Sequence, residues 1–178
     1  HCGGAIKKIK TDDDEDNILE LMFKNAIHLT NKKHWDLANN PNKREKASFL
    51  KENFQLIEFK KRLQFINEGK LFPNISVRFF HGHTSSQMIP FIKINNKTLV
   101  FMADLLPSIG HIPLPYVMSY DTQPLITLQE KKIFLEEAAD KKYILFLEHD
   151  YIYECCTVKK TDKGIRVDKY GKMEEFLL

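Results

Sequence analysis

Three apolar runs along the chain each end in a histidine or an aspartate. Val77-Arg78-Phe79-Phe80 leads into His81-Gly82-His83-Thr84. Phe101-Met102 leads into Ala103-Asp104-Leu105-Leu106. Ile144-Leu145-Phe146-Leu147 leads into Glu148-His149-Asp150. Short runs rich in Phe, Ile, Val and Leu predict buried strands. Two hairpins stand beside them. Residues 89–94 and 98–101 flank Asn95-Asn96-Lys97, and residues 151–159 and 165–170 flank Thr161-Asp162-Lys163-Gly164. Leu63-Gln64-Phe65-Ile66 predicts one more short strand, closed by Asn67-Glu68-Gly69.

Helical spacing alternates with these strands. From about residue 30 to 62 the pattern predicts helix, with Thr30 as a cap, Pro41 in a first turn, and Ala47, Leu50, Phe54 and Ile57 on the apolar face. Trp35, Phe49 and Phe54 are expected as core of that block. Thr127-Leu128-Gln129-Glu130 matches a capping box, followed by an apolar face of Ile133, Phe134 and Ala138. The acidic run Asp12-Asp13-Asp14-Glu15-Asp16 before Ile18, Leu21 and Met22 suits the positive end of a helix. The sum is an α/β chain, expected as a single domain over residues 1–178.

Composition narrows the classes. The 178 residues include 13 Phe, and 43% are hydrophobic, enough for a substantial core. Lys plus Arg number 27 against 24 Asp plus Glu, a net charge of +3. That balance, with basic residues scattered, argues against a nucleic-acid partner. No apolar run reaches the roughly 18–20 residues of a membrane span. Cys2, Cys155 and Cys156 make no disulfide framework, and the adjacent pair would point to opposite faces of a strand. A reducing, cytoplasmic setting is expected.

Imidazoles and carboxylates delivered from strand ends are what a metal site requires. Taken in order, His1-Cys2-Gly3-Gly4, the Gly-His-Thr at 82–84, the apolar-Ala-Asp ending at Asp104 and the apolar-Glu-His-Asp at 148–150 resemble the metallo-β-lactamase-fold hydrolases. That family carries HxHxDH followed by small residues, then a histidine in a Gly-His-Thr turn, an aspartate after an apolar strand and a late histidine. The resemblance runs from His1 to His149. It implies an αββα sandwich with a helical insertion at about residues 30–62. His1 would be the last residue of HxHxDH, so the chain reads as a C-terminal portion whose partner is an upstream segment of the same protein.

The resemblance also implies a ligand set. His1, His83, Asp104 and His149 would hold metal, with Asp104 bridging two ions. Zn(II), two per intact site, is the expected cofactor, and the donors would also tolerate Fe or Mn. A metal-bound hydroxide would attack an ester, lactone, amide or related bond of a small-molecule substrate. No serine elbow of the GxSxG type is present. Thr84 and Asp150 are expected to support the ligands, and His81 to be structural or to support them as well. The Pro/Gly-rich segment after Asp104 is expected to be a substrate-side loop, with His111 and Tyr116 as its candidates. Lactonases of this superfamily usually carry a tyrosine three residues after the bridging aspartate. Pro107 stands there, which weakens the specific lactonase reading. The insertion could also form a homodimer surface. The alternative function is an inactive fragment, or a non-catalytic binding or interaction protein, that keeps the fold.

Overall fold

The computed structural model describes residues 3–9 and 18–178. The chain divides into two compact units at Asn67/Glu68. His1, Cys2 and the acidic run at 12–16 lie outside the described residues.

In the first unit, β1 (Ile6–Ile9) pairs antiparallel with β2 (Ile18–Leu21), and β3 (His28–Thr30) pairs parallel with β4 (Leu63–Phe65). Residues 18–21 are therefore strand, where the sequence pattern predicted a helix. Between β3 and β4 run two short helices, α1 (Lys32–Asn39) and α2 (Gln55–Phe59). The expected helix over 30–62 is thus confined to two pieces. Thr30 belongs to β3, and the cap is Asn31, whose side chain accepts the His34 amide at 2.8 Å. Pro41 ends α1 rather than opening a helix, because a residue before proline is pushed out of the helical region. Asn40 accordingly sits at φ −132°, ψ 60°. Trp35, Phe49, Phe54, Ile57, Leu21 and Ala38 form the core of this unit, and Trp35 meets Phe54 edge-on at 5.2 Å. His34 is buried too, against Phe49.

The second unit is a seven-stranded sheet. Its strands are β5 (Gly69–Phe72), β6 (Ile75–Phe80), β7 (Gln87–Ile94), β8 (Lys97–Phe101), β9 (Ile144–Phe146), β10 (Cys155–Thr161) and β11 (Gly164–Gly171). They lie side by side in the order β11-β10-β9-β8-β7-β6-β5. Both predicted hairpins are present, as β7–β8 and β10–β11. Only the β8–β9 pair is parallel. A parallel neighbour needs a crossover, and α3 (Pro124–Lys141) supplies it. β6 is antiparallel to β7, which is antiparallel to β8. So β6, β8 and β9 all run the same way, and their C-terminal ends share one edge of the sheet. Those are the three ends that carry His83, Asp104 and His149.

One face of the sheet packs on α3 through Phe80, Ile89, Phe91, Val100, Phe134 and Leu145. The other face holds Leu99, Ile144 and Cys155, with Met173, Phe176 and Leu177 of α4 (Met173–Leu177) against them. Cys156 lies in the first cluster and Cys155 in the second, so the pair does point to opposite faces. Burial pushes the two thiols up to about 11 for Cys155 and about 12 for Cys156. Thiolate is the reactive form, so both are inert packing groups.

α3 starts three residues before the expected capping box. Pro124 occupies its first turn, where a missing N–H costs nothing. Glu130 caps no part of α3; its carboxylate reaches the backbone of His81 and Gly82. The buried face is Thr127, Lys131, Phe134, Leu135 and Ala138, while Ile133 is exposed. Among the described residues, no helix is long and apolar enough to cross a membrane.

Candidate metal centre

The turn after β6 is held from three sides. Glu130 accepts the His81 amide at 2.7 Å and the Gly82 amide at 3.0 Å, one on each carboxylate oxygen. The Gln123 amide donates to the Gly82 carbonyl at 2.9 Å. The Thr122 amide and hydroxyl both donate to the His83 carbonyl at 3.0 Å. Gly82 is glycine because α3 passes through the space of a side chain. A Cβ there would fall 2.3 Å from the Thr127 backbone nitrogen. His81 stays exposed, and its Nδ1 accepts the Ser86 amide at 3.2 Å. Thr84 is fully buried in the same turn.

This grip fixes the His83 ring, which is 3% exposed. Its Nδ1 lies 2.9 Å from Asp121 Oδ1, and Asp121 is itself 2% exposed. A carboxylate can only accept, so the proton belongs on Nδ1 and Nε2 presents its lone pair. That lone pair faces Asp104 Oδ2 at 3.4 Å.

Asp104 sits on a single 3-10 turn, Ala103–Leu105, directly after β8. Ala103 enters the turn at φ +44°, a region that favours glycine. The second carboxylate oxygen, Oδ1, lies 3.3 Å from His149 Nε2. Glu148 Oε1 is 3.5 Å from the same nitrogen. Asp104, Glu148 and His149 each offer a ligand atom, all within 4.8 Å of one another. Burial pushes the Glu148 carboxyl up, His149 opposes it, and the Asp104 charge raises it further.

These separations test whether the residues fit a cation. Two acceptor atoms 3.3–3.4 Å apart are further apart than an ordinary N–H···O bond. Zinc bonds of about 2.0–2.1 Å in tetrahedral geometry place neighbouring ligand atoms about 3.3 Å apart. The donors fit: imidazole nitrogens and carboxylate oxygens, with one ring oriented by a further carboxylate.

Comparison with solved structures gives the fold a name. A probable metal-dependent hydrolase from Staphylococcus aureus superposes with a TM-score of 0.74 at 26% identity, over 85% of this chain and 53% of that one. AidC, a dizinc quorum-quenching lactonase, gives 0.67 at 25% identity, over 84% and 56%. The hydrolase AbOPH of the β-lactamase superfamily gives 0.70 at 17% identity, over 83% and 56%. This chain has the metallo-β-lactamase fold. It spans about half the length of the solved structures it matches. No family model matches the chain, and neither does any curated protein.

On this metallo-β-lactamase scaffold, His83 lies 3.4 Å and His149 3.3 Å from Asp104. His1 lies outside the described residues. Asp150 braces the loop rather than a ring. Its Oδ2 accepts the Ile109 amide at 2.9 Å, and its Oδ1 accepts the amides of Ile152 at 3.0 Å and Tyr153 at 2.9 Å. Burial raises its carboxyl, but the three amides outweigh that and hold it below the ordinary value. The carboxylate beside the His83 ring is instead Asp121, which the sequence pattern does not flag.

The segment after Asp104 is a loop, as expected. His111 Nδ1 lies 2.9 Å from Ser108 Oγ, and burial followed by the Lys131 charge lowers its pKa. The Tyr116 side chain is 60% exposed. Its carbonyl accepts from Lys131 Nζ at 2.6 Å, and the carbonyls of Pro113 and Leu114 do so at 3.3 Å. Lys131 is completely buried. Burial pushes its pKa down to about 8, against the pull of Asp121. A lysine between Thr127 and Phe134 on an apolar stripe is the signal that could have found it.

Proposed function

We propose that this chain supplies part of a binuclear metal centre of a metal-dependent hydrolase. The observation that carries the reading is the Asp104 carboxylate, whose two oxygens each face a different histidine. One ion would take His83 and Asp104 Oδ2. The other would take His149 and Asp104 Oδ1, with Glu148 in reach and His1 as a further ligand. Zn(II) suits the donors best, and Fe or Mn would also be accepted. The bound metals supply Lewis acidity and activate water at neutral pH.

The chain's own residues do the rest. Asp121 keeps the proton of His83 on Nδ1, so the ring offers Nε2. Asp104 would contribute a carboxylate oxygen to each ion. The loop carrying His111 and Tyr116 forms the substrate side, where the exposed Tyr116 phenol is free to meet a substrate oxygen. The scissile bond is an ester, lactone or amide. The likeness to a dizinc lactonase at 25% identity supports the lactone option, and Pro107 at the usual tyrosine position weighs against it.

The test is metal analysis of the protein purified with zinc present, together with hydrolysis of a panel of ester, lactone and amide substrates. Bound zinc that falls in His83→Ala and in Asp104→Asn is expected. A folded protein with no zinc above background would refute the reading and leave a non-catalytic relative that keeps the fold.

A further inference from the structure

Two adjacent residues of α3 hold two different parts of the site. Glu130 accepts from consecutive backbone amides, those of His81 and Gly82, and so fixes the turn that presents His83. Lys131 donates to three carbonyls, those of Pro113, Leu114 and Tyr116, and so fixes the loop that presents His111 and Tyr116. The chemistry is matched in sign: an anion grips donors and a cation grips acceptors. Neither interaction is needed by α3 itself, whose packing rests on Phe134, Leu135 and Ala138. A lysine with no exposure is costly to keep charged, and a hydrophobic residue would serve the same stripe.

We propose that the Glu130-Lys131 pair is a positioning device that sets the register of the substrate-side loop against the metal-side turn. Both residues act through the backbone they hold, and neither touches a reacting atom. Because they project from consecutive positions of one rigid helix, the distance between turn and loop is locked to a single helical step. The pair has separable halves. Glu130 governs how well His83 is presented to metal. Lys131 governs how closely the 113–116 loop stays on the helix. The groups that face Lys131 through their charge are Asp121 and His111. The metal half of the proposal rests on the hydrolase reading, and the loop half does not.

The experiment reads both halves in both variants of the full chain. Zinc affinity is measured by competition with a chromophoric chelator. Loop closure is measured by the rate of chymotryptic cleavage after Tyr116, under conditions where the protein is otherwise intact. Glu130→Gln is expected to weaken zinc about 10-fold, the scale of losing an outer support of a ligand, with cleavage after Tyr116 unchanged. Lys131→Met is expected to speed that cleavage about 10-fold or more with zinc affinity unchanged, and Lys131→Arg to restore protection. Should Lys131→Met fail to fold, amide exchange of Tyr116–Met118 in the unsubstituted protein decides. Protection that falls as pH rises past 8, while the Gly82 amide stays protected, supports the clamp; protection unchanged to pH 9.5 overturns it. Equal changes of both readouts in both variants, or no change in either, would also overturn it. If the unsubstituted protein binds no zinc, the hydrolase reading fails, and the cleavage arm still judges Lys131.

Discussion

Removing the Asp121 carboxylate isolates what a buried acceptor does for the His83 ring, proposed above to meet metal. In Asp121→Ala the His83 Nδ1–H loses an acceptor at 2.9 Å in a site where both residues are almost fully buried. The magnitude can be reached from two directions. A hydrogen bond to a charged group contributes about 1.5–3 kcal/mol. Loss of a carboxylate behind a ligating histidine lowers metal affinity about 10–100-fold, which is about 1.4–2.7 kcal/mol. The two estimates overlap, so zinc affinity should fall by about that factor. Asp121→Asn keeps an oxygen of similar reach and should fall by less. The assay is competition against a chromophoric chelator at fixed pH, with the thermal midpoint recorded beside it. The expected order is unsubstituted protein, then Asn, then Ala. An alanine variant that binds zinc as tightly as the unsubstituted protein, at an unchanged midpoint, would refute the reasoning.

Other perturbations test the scaffold. Gly82→Ala forces a methyl to within 2.3 Å of the Thr127 backbone, which should destabilise by about 1–3 kcal/mol; an unchanged denaturant midpoint would show that α3 does not press on this turn. Ala103→Gly removes a left-handed cost of about 1–2 kcal/mol from φ +44°, less about 0.5–1 kcal/mol of glycine entropy. It should leave stability equal or slightly higher, and a clear loss in urea unfolding would contradict that. Arg78 holds Glu137 through paired bonds of 2.6 and 2.8 Å and, with burial opposing and Lys141 and Tyr143 adding, draws its carboxyl down to about 2. A depressed folded pKa stabilises fully above the ordinary value of 4.5 and is lost as pH falls towards 2. Arg78→Met should therefore be less stable than the unsubstituted protein at pH 6 and converge on it near pH 2. A gap that persists at pH 2 would reject the ion pair as its cause.

The three strand-end positions were legible because strand ends are local events. Apolar runs closed by His83, Asp104 and His149 announce themselves within a few residues. Even their convergence follows from local features. The Asn95-Asn96-Lys97 turn reverses direction once, and the α3 crossover then returns the chain parallel to β8. Where the reading failed, a local pattern had two solutions. Apolar spacing over 30–62 satisfied a helix, but Pro41 divides it, and the same residues pack a core from turns. Thr127 and Glu130 matched a capping box by spacing, yet Pro124 had already begun the helix; the Thr127 hydroxyl donates to the Gln123 carbonyl, and the Glu130 carboxylate is left to hold the His81-Gly82 backbone. Asp121 was invisible for a different reason. It sits in an irregular loop 38 residues from the ring it holds, and no periodicity marks it.

The residues proposed to meet metal are placed by strands, whose direction and register are over-determined by the sheet. Those proposed to tune the centre, Asp121, Glu130 and Lys131, come from α3 and the loop before it, on the crossover between β8 and β9. The crossover carries the chain from β8 to β9, so its length and packing decide where all three groups fall. A shift of α3 along its axis would move the Glu130 and Lys131 contacts together and slide Thr127 off Gly82. The absence of a side chain at Gly82 therefore lets α3 lie against the histidine turn in this register. The close approach it permits, not the hydrogen bonds alone, ties the histidine turn to the helix that carries its supports.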